Sequence, residues 1–129
     1  VYGPFDKPNR VVNLFINKIR KGERITLQGA DNLFDFTYVD DIVHGLERVV
    51  DLRPQNETYN ITRGYAHTLQ SMTDMLYEKM DAEPNYITES KPENYPQRGA
   101  LDKTKANLEL EYFPTFNLSR GLDDTLNKS

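Results

Sequence analysis

The sequence predicts an α/β fold, and three observations carry the prediction. Segments that read as strands alternate with segments that read as helices, over short connections. An apolar stripe at helical spacing, Val12, Phe15, Ile16 and Ile19, is followed by the two-residue alternation of Ile25 and Leu27. One stretch, from Asp35 to Gly45, changes period in its middle. Phe36 and Tyr38 share a strand face beside β-branched Thr37 and Val39, which predicts a strand over Asp35 to Val39. From Val39 onward, Ile42, Val43, Leu46, Val49 and Val50 recur at three and four, one stripe of an amphipathic helix. Asp40 sits at the switch, where a carboxylate can accept from free helix N–H groups; it reads as a capping residue, not a catalytic one.

In chain order, Val1 to Asn9 reads as a strand end and a loop punctuated by Gly and Pro. Asn9 is placed to cap a helix over Arg10 to Lys21, which Gly22 ends. Arg24 to Gln28 is a short strand, and Gly29 to Phe34 a loop. The helix after Asp40 ends near Leu52-Arg53-Pro54. Glu57 to Thr62 reads as another strand, closed by Gly64. Thr68 caps a helix from Leu69 to Met80, with Leu69, Met72, Leu76 and Met80 inward; its Met residues read as core filler. Asn85 to Thr88 reads as a strand, Lys91 to Gly99 as a Pro-rich loop, and Asp102 as the cap of a helix ending at Leu110. Leu118, Leu122 and Leu126 mark a last helix.

Composition narrows the function classes. Sixteen Lys and Arg against twenty Asp and Glu give a net charge of −4, with no basic block, so nucleic acid is not an expected partner. No apolar run approaches a membrane span, and no signal peptide is visible. The absence of Cys excludes disulfides, thiolate metal sites and a cysteine nucleophile, and agrees with a cytoplasmic location. His44 and His67 have no carboxylate at ligand spacing, so no metal site is expected. The apolar fraction of 37% is low for a self-sufficient globule, and Val1-Tyr2-Gly3-Pro4 reads as a strand end; the expectation is a piece of a longer chain.

Several motifs occur in order: Val1-Tyr2-Gly3-Pro4, Asp35-Phe36-Thr37-Tyr38-Val39-Asp40-Asp41, Tyr59-Asn60-Ile61, Arg98-Gly99-Ala100-Leu101-Asp102 with Lys105-Ala106, and Gly121-Leu122. Together they resemble the C-terminal part of the NAD-dependent epimerase/dehydratase family, the extended short-chain dehydrogenases that act on nucleotide sugars. The resemblance covers nearly the whole chain. It implies a C-terminal fragment holding the small substrate-binding subdomain and the last elements of the dinucleotide-binding sheet. Residues 1–129 would be the substrate-binding portion, with the NAD-binding part upstream. The family's Gly-rich turn is missing, because the glycines at 3, 22, 29, 45, 64, 99 and 121 show no such spacing. So is Tyr-x-x-x-Lys, since none of the eight Tyr residues has Lys four positions later. The resemblance therefore implies NAD as the cofactor of the full-length enzyme, and neither NAD binding nor a catalytic residue in this chain alone.

The same resemblance implies a nucleotide-sugar partner, a UDP-sugar above all. It places the uridine between the first helix and the following strand, at Val12 and Phe15 and at Thr26, Leu27 and Gln28. Periodicity alone assigns Phe15 and Leu27 to the core. Arg98 matches a phosphate-contacting Arg of the family, and a guanidinium fork fits phosphate oxygens. A second family Arg precedes the Asp-Phe pair, where this chain has Phe34; Arg10 stands as a substitute, or as a solvated helix-start residue. Glu111 occupies the usual place of a Gly after Leu110, where a left-handed cap costs about 1 kcal/mol relative to Gly.

Three functions compete. The first is the substrate-binding portion of a nucleotide-sugar epimerase or dehydratase, with a UDP-sugar 4-epimerase as the specific reading; the resemblance implies oxidation at C4 of the sugar and return of the hydride to the other face. The second is a hydroxysteroid-dehydrogenase-like member of the same superfamily, which Asp35 to Val39, His44-Gly45 and Phe34 also resemble. The third is a non-catalytic binding or assembly module. A stripe from Ile42 to Val50 without its sheet would face water, so self-association, as a homodimer, is expected.

Overall fold

The computed structural model describes residues 1–129. The stripe on α1 (Val11–Arg20) is buried through Val12, Phe15, Ile16 and Ile19, as its spacing predicts. The helix starts one residue later than expected, and no side chain caps it, so Asn9 has no capping role. β1 (Ile25–Gln28) buries Ile25 and Leu27 and turns Thr26 and Gln28 outward. Its partner is β4 (Tyr86–Glu89), parallel, with Ile25 opposite Tyr86 and Gln28 opposite Glu89.

The strand predicted over Asp35 to Val39 is not formed as such. β2 is Leu33–Phe34, paired antiparallel with β3 (His67–Thr68), and Tyr38 makes only a single parallel bridge with Tyr2. The Tyr2 amide donates to the Thr37 carbonyl at 3.0 Å, and the Val39 amide to the Tyr2 carbonyl at 2.9 Å. The ladder stops there because Pro4, two residues on, has no amide to donate. The predicted strand over Glu57 to Thr62 is also absent, since no other segment of the chain lies alongside it as a ladder partner.

α2 (Val39–Leu52) begins with Tyr38 at its cap, so Asp40 lies in the first turn and caps nothing. Arg53 ends the helix in the left-handed conformation, just before Pro54. α3 (Leu69–Lys79) is capped as predicted, the Thr68 hydroxyl accepting from the Ser71 amide at 3.0 Å. α4 (Thr104–Leu110) follows Asp102, whose side chain accepts from the Thr104 amide at 2.8 Å, and ends at a left-handed Glu111. α5 (Leu118–Lys128) is capped by Asn117, which accepts from the Arg120 amide at 2.8 Å.

The main core joins α1, β1, α3 and α5 to the aromatic residues Tyr2, Phe36 and Tyr38. Ile25, Leu27, Met72, Leu76 and Leu122 are fully buried, each contributing about 1.5–3 kcal/mol. Gly121 belongs to this core because the Tyr2 hydroxyl occupies the space a side chain there would need. A second, smaller cluster of Ala106, Leu110 and Tyr112 packs with Val49, Tyr59 and Ile61. Gly45 lets α2 approach it: a Cβ there would lie 2.5 Å from Ile61 Cγ2.

Candidate functional site

The Asp35 to Asp41 motif is the hinge of the site, and its polar side chains other than Asp40 each have separate work. Asp41 is buried and holds the segment before α5: it accepts from the Thr115 amide at 2.8 Å and the Phe116 amide at 3.0 Å. Tyr38 donates its phenol to Asp124 on α5. Burial, then that hydrogen bond, raise the Tyr38 phenol well above its ordinary pKa. Tyr2 is raised too, chiefly by burial, and donates to the Leu118 carbonyl at 3.4 Å. Both phenols stay protonated and structural.

Asp35 faces the other way. Its carboxylate accepts from the Thr37 hydroxyl at 3.2 Å, the Gly64 amide at 3.0 Å and the Leu101 amide at 3.1 Å. Thr37 in turn accepts from the Arg63 amide at 3.0 Å and shares a 3.2 Å hydrogen bond with Thr62. These bonds gather the segments around residues 35, 62 and 101 into one wall.

Against that wall opens a cleft of about 680 Å³. Arg10 and Val12 line it from the start of α1, Phe34 and Phe36 from the motif, and Arg98 from the loop before α4. The Phe34 and Phe36 rings lie 5.6 Å apart. Arg98 is exposed and joins no ion pair in the chain. Arg10 has only Asp6, at 3.9 Å. Two guanidinium groups beside an apolar wall can hold an anion attached to a flat, partly apolar body.

Of the residues predicted from sequence, the structure brings Val12 and Arg98 to this cleft. Phe15, Thr26, Leu27 and Gln28 are not in its lining. Phe15 and Leu27 are core residues, and Thr26 and Gln28 lie on the exposed face of β1. Sequence reasoning missed Asp35, Phe36 and Leu101 as cleft residues. Phe36 and Leu101 stand in motifs that carry the family resemblance, but neither shows a cleft role there: Phe36 reads as a strand residue, and the part of Leu101 is played by a backbone amide. Residues 1–129 hold no Gly-x-Gly-x-x-Gly turn and no Tyr-x-x-x-Lys pair.

The family model for the NAD dependent epimerase/dehydratase family matches residues 1–62. A dTDP-glucose 4,6-dehydratase of Streptomyces griseus is 30% identical over 129 residues, covering 97% of this chain and 39% of the dehydratase. UDP-glucuronate 4-epimerase 1 of Arabidopsis thaliana is 27% identical over 95% of this chain and 33% of its own length. Among solved structures, the UDP-glucose 4-epimerase of Thermotoga maritima with UDP-glucose superposes with a TM-score of 0.86 at 29% identity, over 98% of this chain and 42% of that one. The UDP-glucuronic acid 4-epimerase of Bacillus cereus, in complex with UDP-glucuronic acid and NAD, gives a TM-score of 0.89 at 24% identity, over 98% and 41%; at that identity the likeness speaks for the fold. The chain spans between a third and about two fifths of the length of these proteins, 39% in the first. The chain is thus similar, in its motifs, its fold and these matches, to part of the NAD dependent epimerase/dehydratase family, whose model matches its residues 1–62.

Proposed function

We propose that residues 1–129 are the nucleotide-sugar-binding portion of an NAD-dependent sugar-nucleotide epimerase or dehydratase, with a UDP-sugar 4-epimerase as the specific reading. The observation that carries it is the cleft in which unpaired Arg98 and weakly paired Arg10 stand beside Val12 and Phe34. A diphosphate meets Arg98 there, with Arg10 taking the part of the second family Arg. The base lies toward α1 and β1, against Val12, with Phe15 and Leu27 as buried support and Thr26 and Gln28 on the exposed strand face. NAD is the cofactor of the full-length enzyme, bound outside these residues. The protein works in the cytoplasm, and this chain self-associates as a homodimer.

Titration calorimetry on the 129-residue chain tests the reading. UDP is expected to bind, and Arg98→Ala to weaken it by about 1.5–3 kcal/mol, the worth of a hydrogen bond to a charged group. NAD is expected to give no isotherm at millimolar concentration. Absence of UDP binding, or an Arg98→Ala chain that binds as the parent does, rejects the assignment.

Phe34 keeps the second reading in view, because it makes the cleft wall apolar where the family carries a charge. Phe34→Arg separates the two. Tighter UDP binding supports the nucleotide-sugar function. Loss of binding to a hydroxysteroid, with UDP unaffected, supports the steroid one.

A further inference from the structure

The loop that carries Arg98 is held almost entirely at its ends. At its start, the Gly29 amide donates to the Glu89 carbonyl at 3.0 Å. At its finish, the Leu101 amide donates to Asp35 at 3.1 Å and Asn60 donates to the Asp102 carbonyl at 3.0 Å. Between these ends the backbone makes one local hydrogen bond, from the Tyr95 amide to the Pro92 carbonyl at 3.0 Å. Gly99 has open space on its side-chain face, and Arg98 has no salt-bridge partner. The position of Arg98 is therefore set by the nearest fixed point, three residues on, and that point is the Leu101 amide.

Asp35 is built to be a fixed point. One of its oxygens takes the Leu101 amide together with the Gly64 amide at 3.0 Å, while the other takes the Thr37 hydroxyl at 3.2 Å. Thr37 is itself buried and fixed by the Arg63 amide. A carboxylate with three donors from three segments cannot turn without losing a charge-assisted bond. The Arg98 loop is thereby tied to the same motif that supplies Phe36 to the cleft wall.

We infer that Asp35 is a positioning residue: by accepting from the Leu101 amide it fixes where the Arg98 guanidinium stands over the cleft. This rests on the reading that Arg98 meets a phosphate. It assigns the motif's first carboxylate an indirect part in ligand affinity, although a bare carboxylate lining the cleft would repel an anion.

A double-mutant cycle on the 129-residue chain decides it, with UDP as the probe and a melting curve for every variant. Arg98→Ala and Asp35→Ala are each expected to weaken UDP binding by about tenfold or more, and the double variant to bind no more weakly than Arg98→Ala alone. Asp35→Asn is expected to restore most of the affinity, because its amide NH₂ can face the Thr37 hydroxyl while its oxygen still accepts from Leu101. Leu101→Pro removes the amide donor, together with the Leu side chain and some backbone freedom at residues 100 and 101. It is expected to lose affinity as Asp35→Ala does, while Leu101→Ala, which keeps the amide, is expected to bind more tightly than Leu101→Pro. The pair carries the cycle should Asp35→Ala fail to fold. Additive losses, or an Asp35→Ala chain with undiminished affinity, overturn the inference and leave the nucleotide-sugar reading standing. An Arg98→Ala chain with parental affinity removes both.

Discussion

Asp41 is only 2% exposed, yet it sits in a sequence of two adjacent carboxylates where Asp40 reads as the cap. The partners of Asp41 lie 74 and 75 residues away, at Thr115 and Phe116, and nothing local distinguishes the two. Asp40 is exposed and ties down nothing of the kind. Asp41→Ala leaves two backbone amides without an acceptor in a partly buried place. The expected loss of stability is about 2–4 kcal/mol, from the range for charged hydrogen bonds and unsatisfied donors. Asp41→Asn keeps one acceptor and is expected to lose about half of that. Urea denaturation of the three chains measures it, and Asp40→Ala, expected within about 0.5 kcal/mol of the parent, is the control. Equal losses at Asp40 and Asp41 would return the capping role to Asp40.

Among the elements, what the sequence made legible is what local chemistry decides. α1, α3 and α5 declare themselves by apolar spacing, and Thr68 by a hydroxyl three residues ahead of the amide it caps. The left-handed Glu111 was legible from the place of a glycine. Strands are decided by partners, so Glu57 to Thr62 has strand composition and no ladder, and the Asp35 to Val39 strand shrinks to one bridge. The cleft was half legible, because Val12 and Arg98 follow from motif positions, whereas Asp35 acts through a contact 66 residues away. Helix α5 offers a test at this scale. The Tyr38 phenol and then Lys128 stabilise the Asp124 carboxylate and hold its pKa below the ordinary value. A depressed folded pKa contributes stability above the unfolded value, and loses it as pH falls through the folded one. Thermal midpoints are therefore expected to hold from neutral pH down to about 4 and to fall below it. Asp124→Asn is expected to lower the neutral midpoint and to converge on the parent toward pH 2. Parallel curves down to pH 2 would show that Asp124 contributes nothing to the hold on α5.

On the scale of the whole molecule, α2 leaves the chain with an uncovered face. Its inner side packs through Gly45, against Ile61 and Tyr112, and through half-buried Val49. Its outer side carries Val43, Leu46 and Val50 at 46%, 57% and 69% exposure, spaced by three and four so that they form one stripe. A shallow groove runs between them and the acidic residues Glu47 and Asp51. Burying one such side chain is worth about 1.5–3 kcal/mol, so three on each of two copies favour covering the stripe. A second copy of this helix supplies a self-complementary surface, the requirement of a two-fold contact. Pairing also brings the Glu47 carboxylates of both copies closer, with Asp51 partly neutralised by Arg48 at 3.6 Å, which weakens the dimer at low salt and makes added salt favour it. Light scattering after gel filtration, across a hundredfold range of concentration, is expected to show the mass rising from monomer toward dimer, and further so at high ionic strength. Leu46→Glu with Val50→Glu is expected to give a monomer at every concentration with its thermal midpoint little changed, since neither side chain supports the core. A parent chain that stays monomeric throughout, with a cooperative thermal transition, would show that the outer face of α2 is tolerated in water and that the two core clusters suffice for the fold.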